Sequence, residues 1–246
     1  TAFHECLGAW YRSKRSSMVK IVGPVFKELN ELLAKDGQFY DDEEREKLSS
    51  GISSFRGMMM GYANVHKADR DTWKFHRDIG IEREFLIDCG DFYYAGSIDG
   101  VPQIMGYDWV LEHKTASNIS ESYVGRLALD TQSRGYMFAI MAITGKMPKG
   151  TIYNVTQKTK LRRKSDETWE SYNDRVAQDY MAQPDKYYYR EQLMFTKADI
   201  KAFCLELWQT HQMFRLVANS RMALDPRAWP IDDQACSAWF KMCEYH

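Results

Sequence analysis

Asp99, Glu112 and Lys114 are the residues whose types and spacing could do chemistry. Both acids sit in apolar, strand-like runs, and Lys114 follows Glu112 with one residue between them. Successive strand side chains point to opposite faces, so Glu112 and Lys114 share a face while His113 points away. Carboxylates from two strands beside an amine can hold a hard divalent cation and still position a water molecule. The chemistry such a site suits is phosphodiester hydrolysis. The plainer reading is an exposed hairpin with a surface ion pair, and the apolar surroundings of both acids weigh against it.

The elements that must position these residues change period along the chain. Residues 2–11 place Phe3, Cys6, Leu7 and Trp10 at helical spacing, followed by the basic cluster Arg12, Lys14, Arg15 and Lys20. That cluster is either a solvated helix end or a nucleic-acid contact. A second helix is expected over 21–34 with Pro24 near its first turn, a third opening at the acidic run from Asp41, and a fourth over 53–74 with Met58, Met59 and Met60 as core. Residues 81–88, 93–101 and 108–115 alternate or run apolar between glycine-bearing turns, as a strand meander does. A crossover helix over 120–144, strands over 150–156 and 187–195, a helix from an N-cap at Ser165 and an amphipathic helix over 196–221 complete the pattern. Together these describe an α/β sandwich around a mixed sheet. Pro226 and Pro230 follow in an irregular tail.

With 246 residues and 44% hydrophobic content the chain can fill a sizeable core. The expectation is one domain, 1–246, with a helical part over 1–80, a sheet core over 81–195 and a C-terminal helix and tail over 196–246. A net charge of -1 reveals no nucleic-acid affinity by itself. Five scattered cysteines fit a reducing compartment better than a disulfide framework. Nothing resembles a signal peptide, and no apolar run approaches the roughly 20 residues that span a bilayer. A cytoplasmic protein with no membrane partner is expected. Thr1 opens the chain without a methionine, so trimmed ends are part of that expectation.

GSIDG (96–100), LEHKT (111–115) and QSRGY (132–136), in this order and spacing, resemble motifs of the PD-(D/E)XK nuclease superfamily, in its RecB-like exonuclease branch. The resemblance covers most of the chain, is closest to phage and prophage members, and extends to an acid, Glu82 or Glu84, ahead of Phe85. It implies an α/β (α+β) restriction-endonuclease-like core: a mixed central β-sheet flanked by helices, with helical additions at both ends. It implies metal ligation of Mg²⁺ or Mn²⁺ by Asp99, Glu112 and the His113 carbonyl, and a Lys114 that orients or activates water. Gln132 and Tyr136, four apart and therefore on one helix face, would flank the site and hold the substrate backbone or Lys114. Branch members usually carry an early Gly-x-x-His element, where the best-aligned stretch here offers Phe26. Glu82, Glu84 or water is then expected to supply the missing ligand.

The resemblance also implies a clamp for a [4Fe-4S] cluster on Cys6, Cys236 and Cys243, with a fourth position falling a few residues past His246. Zinc, using His246, and plain buried cysteines are the alternatives; Cys89 and Cys204 are expected in the core. DNA is the implied partner, bound through its backbone, with Lys158, Lys160, Arg162, Arg163 and Lys164 either a phosphate-binding loop or a solvated one. Tyr187, Tyr188 and Tyr189 are expected to line a strand. The function implied is a Mg²⁺-dependent DNA exonuclease of phage recombination or end processing, working with a recombinase or single-strand annealing protein. Rival readings are a CRISPR-adaptation-type RecB-like nuclease and an idle, nucleic-acid-binding scaffold.

Overall fold

The computed structural model describes residues 2–13 and 16–220. The chain divides into two units, Thr1–Thr196 and Lys197–His246. In the first unit the order is α1 (Ala2–Arg12), α2 (Met18–Asp36), a 3-10 turn (Gly37–Phe39), α3 (Asp42–Val65), α4 (Lys67–Thr72), β1 (Lys74–Phe75), β2 (Ile81–Asp88), β3 (Tyr93–Gly100), β4 (Pro102–Ile104), β5 (Tyr107–Asp108), β6 (Val110–Ala116), α5 (Glu121–Leu127), α6 (Thr131–Thr144), β7 (Thr151–Gln157), α7 (Trp169–Ala182), α8 (Pro184–Tyr187) and β8 (Tyr188–Leu193). The described part of the second unit is the helix α9 (Lys197–Ala218).

The architecture is mixed α+β, with a five-stranded sheet of order β2-β3-β6-β7-β8. β6 and β7 run parallel and the other neighbours antiparallel. The parallel pair needs a crossover, which α5 and α6 supply. A small sheet of order β1-β4-β5 stands apart, and its strands are short enough that periodicity gives no signal for them. The expected mixed sheet flanked by helices is therefore present, and it is compatible with a restriction-endonuclease-like core.

Helices cover both faces. Because His113 points away from Glu112 and Lys114, its contacts identify the far face: Tyr11 of α1 and Tyr62 of α3 lie 6.1 and 5.6 Å from its ring, centroid to centroid. Leu7, Trp10, Met59, Tyr62, Tyr172, Val176 and Tyr180 form the buried core there. On the near face α6 buries Tyr136, Met137 and Ile140.

Several boundaries differ from the sequence reading. The run from Asp41 and the segment 53–74 are largely one helix, α3, started by a capping box in which Asp41 Oδ1 accepts from Glu44 N at 2.8 Å and Glu44 Oε2 from Asp41 N at 3.1 Å. Its glycines admit α7 and β8: a Cβ on Gly57 would stand 2.7 Å from the Tyr180 ring, and one on Gly61 2.2 Å from the Tyr188 hydroxyl. α2 starts at Met18, earlier than expected, so Pro24 lies inside the helix rather than near its first turn. The segment 120–144 is two helices, broken where Asp130 caps α6. α7 starts from Thr168, whose hydroxyl accepts from Ser171 N at 3.2 Å, so Ser165 is not the cap. Cys89 and Cys204 are partly exposed rather than core. Among the described residues no helix is long and apolar enough to cross a membrane.

Candidate active site

β3 and β6 bring the two acids together. Their register pair is Gly100↔Leu111, after which Asp99 Oδ2 accepts the amide of His113 at 2.8 Å. A carboxylate thus stands where the ladder would continue. β6 is buried from Val110 to His113, as expected of a strand paired in parallel and covered on both faces, and Glu112 is 4% exposed.

Lys114 gathers the near-face acceptors. Its Nζ lies 2.8 Å from Glu112 Oε1 and 3.8 Å from Asp130 Oδ2, and it donates to Gln132 Oε1 in a short contact. Gln132 Nε2 in turn donates to Tyr136 Oη at 2.6 Å. The structure therefore brings together Asp99, Glu112, Lys114, Gln132 and Tyr136. It adds Asp130, which the sequence alone does not single out.

α1 supplies a second addition. His4 Nε2 donates to the His113 carbonyl at 3.1 Å and stands 3.8 Å from Asp99 Oδ2. An imidazole thus stands beside the two acids although the stretch around Phe26 offers none. Phe26 itself packs against the core, with the Arg56 guanidinium 5.5 Å over its ring. The one signal for this imidazole in the sequence is its place at the start of the first helix, beside an apolar stripe that draws the attention to Cys6.

Glu82 completes the cluster. Its backbone is left-handed, φ 48°, a conformation that costs a non-glycine residue about 1–2 kcal/mol. Its Oε1 is buried without a hydrogen-bond partner. Gly8 lets α1 lie against it, since a Cβ there would come 2.6 Å from Glu82 Cγ. Glu84 is exposed. Of the two acids, Glu82 faces the site.

Electrostatics follow from this crowding. Burial, reinforced by the charge of Asp99, pushes Glu112 up to about 8, against the pull of Lys114. Burial also raises Asp99, although the His113 amide and His4 oppose it. Glu82 rises through burial and the nearby Asp99. Burial works against the Lys114 charge, but Glu112, Asp130 and Asp99 outweigh it and hold the amine above the usual lysine range. Desolvation drives His113 well below the ordinary histidine value, so its buried ring is neutral.

Among the described residues no three His, Cys, Asp or Glu side chains are drawn together tightly enough to make a ready metal shell. The donors nevertheless fit a hard divalent cation in kind: carboxylate oxygens and a main-chain carbonyl, with one imidazole. Two of the oxygens, Glu112 Oε2 and Glu82 Oε1, are buried and unpartnered. Orphaned buried carboxylate oxygens are costly unless something occupies them.

The cysteine expectation divides. Cys6 is 2% exposed in the α1 core, and burial raises its thiol. Cys236 and Cys243 lie outside the described residues, as do Pro226 and Pro230.

The basic excursion leaves the sheet close to the site, where Lys158 N donates to the Ala116 carbonyl at 2.8 Å. Its five cations are not equivalent. Arg163 pairs with Glu46 at 3.3 Å and covers Trp169 at 4.8 Å, whereas Lys158, Lys160, Arg162 and Lys164 are exposed. Lys160 reaches Asn118 Oδ1 at 3.4 Å. Tyr187 and Tyr188 are tied into the protein, Tyr187 by burial and Tyr188 by donating to the Met58 carbonyl at 2.8 Å. Compared with known proteins, the sequence matches no family model and no curated protein.

Proposed function

We propose that the chain is a metal-dependent deoxyribonuclease of the RecB-like PD-(D/E)XK type, a DNA exonuclease in phage recombination or end processing. The observation that carries this reading is the cluster of buried Glu112 with half-buried Asp99 and Glu82 against Lys114 and His4, with Glu112 Oε2 and Glu82 Oε1 unpartnered. A scaffold gains nothing from like charges buried side by side. Asp99, Glu112, Glu82 and the His113 carbonyl would hold Mg²⁺ or Mn²⁺, with His4 beside them on that carbonyl. Bound there, the cation supplies Lewis-acid activation of water and charge neutralisation at the phosphate.

The chain's own residues do the rest. Lys114, kept as an ammonium, offsets the negative charge that develops on the phosphoryl oxygens and orients the attacking water. Gln132 and Tyr136 hold the Lys114 amine in place, which fixes its distance from the reacting group. The exposed cations of the excursion bind backbone phosphates without reading sequence. DNA is thus the proposed substrate, a recombinase or annealing protein the proposed partner, and the cytoplasm of a bacterium or phage-infected host the proposed compartment.

Incubation of end-labelled linear DNA and covalently closed circular DNA with the protein and Mg²⁺ tests the reading. Loss of the linear label with sparing of the circle is expected. No degradation of either, with Mg²⁺ or Mn²⁺, would sink it.

A further inference from the structure

Lys114 hydrogen-bonds Glu112 and Gln132 and makes a longer ion pair with Asp130. Glu112 Oε1 lies 2.8 Å away, but Glu112 is the acid that the proposed nuclease reading assigns to the cation. Gln132 Oε1 and Asp130 Oδ2 remain, and of these Asp130 alone is charged. Its carboxylate is fixed from two sides. Oδ1 caps α6 by accepting from Gln132 N at 2.9 Å, and Oδ2 accepts from the Tyr153 hydroxyl at 3.2 Å.

Tyr153 is itself held in the core. It is 0% exposed on β7, and its hydroxyl lies 2.5 Å from Ser133 Oγ, one turn into α6. The chain from Tyr153 through Asp130 to Lys114 therefore joins the neighbouring parallel strand to the amine. A helix cap needs an acceptor but no charge, and Ser, Asn or Thr would serve α6 equally well. The charge, the Tyr153 contact and the direction of Oδ2 towards Lys114 are surplus to capping.

We infer that Asp130 is the positioning residue of this site: the counter-ion that holds the Lys114 ammonium over the reacting phosphate while Glu112 is engaged elsewhere. It acts through Lys114 and touches no substrate. The inference rests on the nuclease reading for its consequence in rate, but the Lys114 contact itself does not.

Asp130→Asn and Asp130→Ser both retain an α6 cap and remove the charge. In protein labelled with [¹³C]lysine, the Lys114 Cε resonance is assigned by its absence in Lys114→Arg, and it is compared between the parent and the two variants without added metal. Rates on linear DNA with Mg²⁺ are measured alongside. The expected result is a displaced Lys114 resonance in both variants and a kcat lower by about tenfold, as the loss of one charged contact in the transition state gives. KM for DNA stays at the parental value in both variants, and Tm stays there in Asp130→Asn, which keeps an acceptor for the Tyr153 hydroxyl. A kcat equal to the parent's in a correctly folded variant overturns the inference, as does an undisplaced resonance. If the resonance moves but the parent itself cuts no DNA, the contact stands and the nuclease reading falls.

Discussion

At the residue scale, His4 and Glu112 make the most specific predictions. His4 meets the site across 109 residues of chain, by donating to the same carbonyl that the proposed reading gives to the cation. His4→Ala should lower the Mg²⁺-supported rate about 10- to 100-fold and raise the Mg²⁺ concentration needed for half-maximal rate. A Mg²⁺ titration identical to the parent's would remove His4 from the site. Glu112 makes a prediction about stability. Its folded pKa lies near 8, above its ordinary value, so the native state binds the extra proton and the group's contribution is complete at acidic pH. That contribution is lost progressively as pH rises towards 8. In EDTA the parent's Tm should therefore fall between pH 5 and pH 8 more steeply than that of Glu112→Gln, which carries no ionisable group there. Parallel Tm curves would contradict the burial assigned to this carboxylate.

At the element scale, the strands and helices carrying Asp99, Glu112, Lys114, Gln132 and Tyr136 are legible in the sequence, because strand alternation and the four-residue helix repeat each fix a face. His4 and Asp130 are not. His4 depends on α1 lying across β2 and β3, a packing that no local pattern encodes, and Asp130 resembles any helix cap until Tyr153 and Lys114 are seen beside it. The two helices read over 41–74 merge for a similar reason. Ser53 and Ser54 interrupt the apolar stripe but are buried within α3, where Ser53 Oγ donates to the Ser49 carbonyl at 2.8 Å. The basic excursion carries its own prediction. Arg162 is exposed whereas Arg163 is paired and stacked. Arg162→Ala should reduce the salt dependence of DNA binding by about one unit of slope and leave Tm alone. Arg163→Ala should lower Tm and change the slope less. The reverse assignment, read from binding isotherms at several salt concentrations and thermal melts, would remove the excursion from the DNA path.

At the scale of the whole molecule, near-neutral net charge means that the proposed DNA binding would have to come from the local placement of cations rather than from the overall field. The iron-sulfur expectation also belongs here, since Cys236 and Cys243 lie outside the described residues. Protein purified without oxygen should carry iron and acid-labile sulfide and be coloured in the visible range; colourless, iron-free protein would end that expectation. The central claim is that Asp99 and Lys114 belong to one metal-dependent hydrolytic site. Its most direct test is the rate of release of labelled nucleotide from linear DNA at saturating Mg²⁺, measured for the parent, Asp99→Ala and Lys114→Ala with folding checked by circular dichroism. Loss of activity by at least about a thousandfold in both folded variants is the predicted result; two variants that cut as fast as the parent would contradict it.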